Sequence, residues 1–372
     1  MKKIFNTFLF MAFSLCLFAG EIRGSSFTEI SSSTDDFVIE EGVLTSYKGT
    51  IAKPAEGKSL LILPKDLGIK SIKSEAFASS APDFLVVDDK VKVSDIANFD
   101  KLNIEIIPPI ELEVETLVEV PQNPEDYEIE NGVLIKYWGW DSDLEEEFFE
   151  ENENYDPSTV EFKIVMPAGM GVTTIGENAF NDARVKCVVL PEGVETIGNF
   201  AFHSADTLEI VILPSTVKTI ENNAFAHGEC NVLRYVNLPD SIESIGINAF
   251  TFLKTPIRKL PANLKKIESG AFKGANFVTD VLEFPAGVKS IGNKAFTDIE
   301  TFKEIIFPEG LETIGNSSFY GCTNLKKVTF PSTIKSIGMD AFYFTKLKSV
   351  KIPASCKYDG AFDGSSTRII KY

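Results

Sequence analysis

A repeat of about 23 residues is the feature that most constrains how this chain of 372 residues can fold. Successive prolines from Pro167 to Pro353 lie 24, 23, 25, 22, 24, 23, 23 and 22 residues apart, and a fixed period in this range is typical of a solenoid. A phenylalanine stands eleven residues after seven of these prolines, so the variation in length falls between that phenylalanine and the next proline. One leg of the unit is therefore sterically fixed, and the other is a tolerant loop.

The leg that ends at each proline has the pattern of a strand. In most units the first and third residues before the proline are apolar, as Phe330 and Val328 are before Pro331, and this alternation turns both side chains towards a core. Proline lacks an amide donor and marks the point where the chain leaves the ladder. Stacking the units places each phenylalanine of the fixed leg above the preceding one. The predicted aromatic column consists of Phe180, Phe202, Phe225, Phe250, Phe272, Phe296, Phe319, Phe342 and Phe362.

The unit that begins at Leu325 has the wording Leu-x-x-Val-x-Phe-Pro-x-x-Ile-x-x-Ile-Gly-x-x-Ala-Phe. This wording resembles the BspA-like, or Treponema-type, class of leucine-rich repeat, strongly over residues 160–372 and weakly over residues 37–107. The resemblance implies a β-rich leucine-rich-repeat solenoid of the α/β type, with a parallel sheet on one face and short helical turns and loops on the other. It also implies a secreted or cell-surface protein of the adhesion or host-matrix type, and it supplies no family-wide catalytic residue.

The amino-terminal residues have the character of an export signal. Residues 1–24 combine a basic start, an apolar run over residues 4–19 and small residues after it, which predicts a secretory signal peptide and not a membrane span. Cys16 leaves lipidation as an alternative, although Leu15 stands where a lipidation motif needs a small residue. Residues 25–36 are polar and without period, which predicts a flexible spacer. We therefore expect the protein in a bacterial envelope or outside the cell.

Two capping segments, residues 37–49 and 127–139, match one another without gaps. In the second, Asn131-Gly132 lies between alternating apolar residues, which is a strong hairpin signal. Each capping segment is expected to close the amino-terminal end of a repeat block. The predicted division is a short degenerate block over 37–107, a linker over 108–125 and a main solenoid over 126–372, with an acidic loop over 141–156 inserted after the second capping segment.

Charge and motif content narrow the range of functions. The chain has 36 Lys plus Arg against 54 Asp plus Glu, so it should repel nucleic acid and anionic lipid. It contains no nucleophile motif, phosphate-binding loop or metal-ligand signature, and we expect neither an enzyme nor a cofactor. Two metal sites remain as alternatives to solvated loops. One joins His203 and His227 with Asp206 or Glu229, and the other places calcium in the acidic loop, which lacks the ligand spacing and central glycine of an EF-hand.

Four cysteines remain once the signal peptide is removed: Cys187, Cys230, Cys322 and Cys356. They lie in units that are too far apart to pair, except for Cys187 and Cys230, whose positions within the unit differ. Small thiols pack well in apolar cores. The sequence therefore favours buried free thiols over disulfides.

The face of the predicted sheet that points away from the core offers the clearest candidate for a binding site. Strand residues two and four before each proline point to this face. They are polar at Thr329 and Lys327 but apolar in earlier units, and an exposed apolar row would indicate a protein partner, such as an extracellular-matrix or cell-surface protein. Two alternatives remain: the first block or the capping segment with Trp138 and Trp140 covers the row, or the protein is a self-associating structural component of the envelope. The candidate ligand-binding residues are Val189, Ile210, Ile212, Tyr235, Ile257 and Ile306, with Val281 beside them.

Overall fold

A computed structural model describes residues 27–29, 36–41, 43–48, 51, 58–63, 67, 69–77, 81–87, 92–93, 105–107, 117–120, 122–139, 145, 149–150, 160–180, 183–203, 205, 207–226, 233–364 and 366–372. The chain divides into two compact units, Met1–Leu117 and Val118–Tyr372. This division falls within the stretch 108–125 that the sequence assigns to a linker. The predicted signal peptide lies outside the described residues.

The described strands are short, and nearly all belong to parallel sheets. Those of the first unit are β1 (Phe27–Glu29), β2 (Phe37–Glu40), β3 (Val43–Tyr47), β4 (Lys58–Ile62), β5 (Ser71–Ile72), β6 (Phe84–Val86), β7 (Lys92–Val93) and β8 (Glu105–Ile107). Those of the second unit are β9 (Val118–Glu119), β10 (Tyr127–Glu130), β11 (Val133–Tyr137), β12 (Phe162–Val165), β13 (Thr174–Ile175), β14 (Cys187–Val189), β15 (Thr196–Ile197), β16 (Ile210–Ile212), β17 (Thr219–Ile220), β18 (Tyr235–Val236), β19 (Ser244–Ile245), β20 (Lys266–Ile267), β21 (Val281–Glu283), β22 (Ser290–Ile291), β23 (Glu304–Ile306), β24 (Thr313–Ile314), β25 (Lys327–Thr329), β26 (Ser336–Ile337), β27 (Ser349–Ile352) and β28 (Arg368–Lys371). In the part of the chain that the structure describes, 3₁₀ turns span Ser74–Phe77 and Pro124–Asp126.

The second unit is a solenoid in which most turns contribute one strand to each of two sheets. The strands before the prolines form sheets in the order β18-β16-β14-β12-β9, then β21-β23-β25, and the last of them, β27, pairs with β28. Eight two-residue strands, mostly Thr-Ile or Ser-Ile, join the hairpin β10-β11 in a ten-stranded sheet of the order β10-β11-β13-β15-β17-β19-β20-β22-β24-β26. The predicted solenoid with its repeat of about 23 residues is confirmed. The ten-stranded sheet is a second sheet that the prediction did not include.

The second sheet was not foreseen from the sequence because two-residue strands are too short for an alternating pattern. Their β-branched residues favour extended backbone, and consecutive turns pair in register, as Ile197 does with Ile220. The inward side chains of both sheets, such as Val211 and Ile220, belong to one buried apolar cluster with the phenylalanines. The core of the second unit therefore lies between the two sheets and runs through successive turns.

The predicted aromatic column is present in this core. Consecutive phenylalanines have ring centroids 5.2 to 5.6 Å apart and interplanar angles of 20° or less. Eight of the nine rings are fully buried, and Phe362 at the end of the column is 8% exposed. At the other end, the Tyr137 ring of the second capping segment packs against Phe180 with centroids 5.7 Å apart. This capping segment therefore closes the amino-terminal end of the column.

The first unit repeats this plan on a smaller scale. Its sheets have the orders β1-β4-β6-β8 and β2-β3-β5-β7, and Tyr47 packs against Phe77 with ring centroids 6.0 Å apart. In both units the capping segment is an antiparallel hairpin preceded by a short strand, because β1 pairs with β4 and β9 pairs with β12. Phe27–Glu29 is thus a strand, which corrects the prediction of a flexible spacer at these residues. Edge strands are held by main-chain hydrogen bonds, so side-chain periodicity does not reveal them.

Candidate functional site

The outward row of the sheet before the prolines differs in exposure along its length. Ile210, Ile212 and Tyr235 are 0%, 3% and 5% exposed, and they belong to neither apolar core cluster. Val211, which alternates with them, lies in the core cluster, so the row points away from the column. The prediction that these three side chains are exposed is wrong. Their burial is favourable, because removing apolar surface from water contributes about 25 cal/mol per Å² to stability.

The start of this row is also buried. Lys163 is 3% exposed and Cys187 is 0% exposed, and the two residues are partners in the register between β12 and β14. Val189, at the other end of β14, is half-buried. Burial raises the pKa of the Cys187 thiol to about 12, although the nearby Lys163 and Lys186 charges oppose this shift. The Cys187 thiol is therefore protonated and unreactive at neutral pH.

The other described cysteines are equally inert. Cys187, Cys322 and Cys356 are buried free thiols, which confirms the prediction for these three, and Cys230 lies outside the described residues. Burial raises the pKa of Cys322 to about 12 and also raises that of Cys356. Cys322 and Cys356 serve as small apolar side chains of the core, and Cys187 is buried in the outward row.

Ile257 faces the core and not the outward row. It belongs to the main apolar cluster and is 3% exposed. The reason is local: this turn has Arg258 at the third position before the proline, where the neighbouring turns have an inward aliphatic residue. The turn forms only a single bridge, between Ile257 and Phe277, in place of a strand. Shifting the register by one residue exchanges the two faces, and Ile257 takes the inward place.

The outward face is open from β21 onward. The strands β21, β23, β25 and β27 alternate between outward residues that are exposed or half-buried and inward residues that are buried. We call the outward residues of the first three strands the open sheet face. Val281 is 39% exposed and Ile306 is half-buried. The members of the open sheet face are Val281, Glu283, Glu304, Ile306, Lys327 and Thr329.

Charged side chains surround the two apolar residues of this face. Lys327 Nζ lies 2.6 Å from Glu304 Oε1, across adjacent strands. The Lys327 side chain is 66% exposed, so the pair contributes little to stability and is weakened by salt. The open sheet face therefore combines a small apolar centre with charges that are available to a partner.

The candidate metal sites receive no added support. Among the described residues, no group of three His, Cys, Asp or Glu side chains could hold a metal ion. His203 is half-buried and its ring packs edge-on against Phe200, with centroids 5.4 Å apart. Its proposed partners His227, Asp206 and Glu229 lie outside the described residues.

Most of the acidic loop 141–156, where calcium is the alternative to a solvated loop, also lies outside the described residues. One described residue of this loop, Phe149, packs against Phe162 with ring centroids 5.8 Å apart and joins the rim of the main core. This part of the insertion is thus anchored by an aromatic contact. A fully solvated loop, which the charge run alone predicts, does not describe Phe149.

Exposed aromatic residues near the column were not identified from the sequence. Phe252 and Phe344 are 55% and 52% exposed, and each stands two residues after a column phenylalanine. Tyr320 and Tyr343 stand one residue after such a phenylalanine and are half-buried. The sequence contains a sign of these exposed rings, because residues next to an inward phenylalanine point away from the core. Only the geometry of the corner, however, places the rings on one surface.

Parallel pairing of turns of about 23 residues around a phenylalanine column defines the class of this protein, a leucine-rich-repeat solenoid. A family model described as BspA type leucine rich repeat region (6 copies) matches residues 173–281 and 254–369. The chain belongs to this family. No curated protein matches the chain. No helix in the described parts of the chain is both long and apolar enough to cross a membrane.

Several solved structures are similar to parts or most of the chain. A leucine-rich repeat protein from Bacteroides ovatus is 24% identical, and the match covers 56% of this chain and 59% of that chain with a TM-score of 0.44. The Treponema pallidum leucine rich repeat protein is 21% identical over 61% of this chain and 89% of that chain, with a TM-score of 0.36. A leucine rich cell surface protein from Faecalibacterium prausnitzii is 19% identical over 93% and 95%, with a TM-score of 0.37. The chain thus spans less than two thirds of the Bacteroides ovatus protein.

Proposed function

We propose that this protein is exported by a bacterium, acts at the cell surface or outside the cell, and binds another protein through the open sheet face. Three observations support the proposal. The amino-terminal sequence has the character of a signal peptide, the family is that of BspA-type repeats, and one similar solved structure is that of a cell surface protein. The observation that carries the binding role is the open sheet face itself.

The geometry of this face suits protein recognition. Its side chains stand on consecutive parallel strands, in the registers Val281 with Glu304 and Glu304 with Lys327, so the backbone that carries them is rigid. Binding to a rigid surface costs little conformational entropy. Val281 and Ile306 supply an apolar centre, and the surrounding charges supply a polar rim, which is the usual composition of a protein interface.

The four buried candidates have an indirect role in this proposal. Ile210, Ile212 and Tyr235 have too little exposed area to contact a partner in the described conformation, and Ile257 is part of the core. They stabilise the solenoid that carries the open sheet face. Val189 is half-buried and pairs in register with the buried Ile212, so it is not part of the open sheet face.

The experiment compares capture of purified partners by matched variants. The purified protein is immobilised, and a panel of purified extracellular-matrix and cell-surface proteins is passed over it in a surface plasmon resonance instrument. The double substitution Val281→Glu with Ile306→Glu should lower the affinity for a partner about tenfold or more, because apolar anchors at the centre of an interface supply most of the binding energy. The control Ile247→Glu changes another exposed isoleucine, which is 42% exposed, and should leave capture unchanged.

Thermal melting of all three proteins completes this test. The double variant should melt within a few degrees of the wild type, because its substituted side chains are exposed or half-buried. A partner that binds the double variant as tightly as the wild type would exclude the open sheet face. Equal losses in the double variant and in Ile247→Glu would point to a general effect of added charge.

A second candidate, structural self-association, has one observation in its favour. Within the described residues, strand β28 pairs with β27 alone, and an edge strand with unpaired main-chain groups can recruit another chain. Light scattering at rising protein concentration separates the two candidates, because self-association raises the apparent mass without any added ligand. The Arg368 and Tyr372 amides donate on the side of β27, so the alternate amide of Lys371 faces the open edge. Replacing Lys371 by proline removes this donor and should abolish such an increase.

A further inference from the structure

A second surface runs along the corner of the solenoid that follows the phenylalanine column. Backbone hydrogen bonds connect five consecutive turns here: the Phe252 amide donates to the Lys273 carbonyl, the Gly274 amide to Thr297, the Asp298 amide to Tyr320 and the Gly321 amide to Tyr343, at 2.8 to 3.0 Å. We call the side chains at this corner the aromatic edge. Its members are Phe252, Lys273, Asp298, Tyr320, Tyr343 and Phe344.

The backbone holds two of these rings in an uncommon conformation. Phe252 and Phe344 both have φ of 57°, in the left-handed region that bulky residues rarely adopt. Other turns have glycine at this position, as at Gly274 and Gly364. A side chain at Gly274 would begin 2.4 Å from the Phe252 ring, and one at Gly364 would begin 2.3 Å from the Tyr343 ring. Each glycine therefore leaves space for the aromatic ring of the preceding turn.

Contacts between the rings fix a platform at one end of the edge. Tyr320 and Tyr343 are stacked, with centroids 5.4 Å apart and planes 3° apart. The Phe344 ring packs against both at a steep angle, with centroids 5.5 Å from Tyr320 and 4.3 Å from Tyr343. Phe344 remains 52% exposed. A large aromatic surface is thus exposed to solvent and held rigid by its neighbours before any ligand arrives.

Charged groups separate this platform from the second exposed ring. Lys273 Nζ lies 5.5 Å from the centroid of the Phe252 ring, and the Asp298 side chain is exposed in the next turn. Neighbouring strands are about 4.8 Å apart, so the edge from Phe252 to Tyr343 spans roughly 19 Å. An aromatic ring, an ammonium group, a carboxylate and an aromatic platform follow one another along this length.

We propose that the aromatic edge binds a neutral oligosaccharide. A hexose has an apolar C–H face that stacks on an aromatic ring, and a rim of hydroxyl groups that hydrogen-bond to a carboxylate or an ammonium group. A continuous apolar ligand would bury the charges of Lys273 and Asp298 without partners, which costs free energy. The net charge of −18 disfavours acidic polysaccharides. Successive sugar units can follow successive turns, because the length of a hexose is close to the spacing of the turns.

The test is calorimetric titration of the full chain with neutral glucose oligosaccharides of two to six units, both α-1,4- and β-1,4-linked. Affinity should rise with chain length and level off at about four units, when the ligand fills the edge. The substitution Phe344→Asn suits the left-handed backbone and removes the exposed ring, so affinity should fall about tenfold. The control Met339→Asn changes a residue that is 61% exposed, at a position where other turns have asparagine, and should leave affinity unchanged.

Three outcomes would overturn the proposal. The first is no measurable heat with either oligosaccharide series while thermal melting shows a folded protein. The second is binding that Phe344→Asn and Met339→Asn weaken equally, or that Phe344→Asn leaves unchanged. The third is binding of an apolar, aromatic-rich peptide that depends on Phe344 in the absence of any response to sugars, which would assign the edge to protein recognition. The sheet-face variants should bind the oligosaccharides normally, so this test is independent of the proposed protein partner.

Discussion

Replacing Phe272 by alanine tests the energetic role of the aromatic column. Phe272 is fully buried and stacks between Phe250 and Phe296, with centroids 5.6 and 5.3 Å away, and it also meets Phe277 edge-on at 5.6 Å. Removing such a ring costs the transfer free energy of the side chain and leaves a cavity. Together these effects amount to about 3–5 kcal/mol.

The position of Phe272 adds a second expectation. It is the fifth of nine column residues, so its removal interrupts the contact between the two halves of the stack. In a solenoid the stability is a sum of turns and nearest-neighbour interfaces. Unfolding of Phe272→Ala should therefore be less cooperative, with a shallower transition, as well as shifted to lower denaturant. Phe362→Ala at the end of the column removes one stacked neighbour, Phe342 at 5.3 Å, and should cost less.

The assay is urea denaturation followed by circular dichroism, with two controls. Phe252→Ala makes the same chemical change at a ring that is 55% exposed, and Lys327→Ala removes an exposed ion pair. Each control should cost no more than about 1 kcal/mol. Midpoints for Phe272→Ala that match those of either control would refute the assignment of the column to the energetic core.

Two further predictions concern buried groups. Ile212→Glu should destabilise the fold by about 3 kcal/mol or more, because it places a carboxylate at a site that is 3% exposed. Thr329→Glu, at the same repeat position on the open sheet face, should have almost no effect on stability. Equal melting temperatures of the two variants would contradict the difference in burial. Burial raises the pKa of Cys187 and Cys322 from 9.0 to about 12, so the unfolded chain loses thiol protons first as the pH rises. The contribution of these two thiols to stability should be complete below pH 9 and decline towards pH 12. Denaturation of the wild type and of the double alanine variant at pH 8 and at pH 10 would measure this decline. A thiol reagent at pH 8 should label both residues only after unfolding, and rapid labelling of the native protein would show that they are accessible.

The contrast between the two halves of the outward face has a consequence for function. Ile212 and Thr329 occupy the same place in the repeat, two residues before a proline, yet one is buried and the other is exposed. The repeat fixes the direction of a side chain, and the neighbouring structure fixes whether solvent reaches it. We therefore expect a partner of this face to contact its exposed part and not the whole row.

The sequence alone determined the parts of this protein that depend on steric repetition. The period between prolines, the alternation before each proline and the phenylalanine eleven residues later specify the turn, its inward side chains and the aromatic column. The Asn131-Gly132 turn specifies the hairpin of the second capping segment, since this dipeptide adopts the required positive φ values of 50° and 80°. These features follow from sequence because each depends on contacts within one turn or between identical positions of adjacent turns.

Only the tertiary structure decided which outward residues are buried and which rings share a surface. The burial of Ile210 and Tyr235 depends on what lies above their strands, which no periodic pattern encodes. The inward shift of Ile257 follows from the loss of regular pairing in a single turn. The aromatic edge arises because the corner backbone turns Phe252 and Phe344 outward, although they are separated by 92 positions in the sequence. Contacts between residues that are distant in sequence are set by the packing of whole turns, and only the folded chain contains that information.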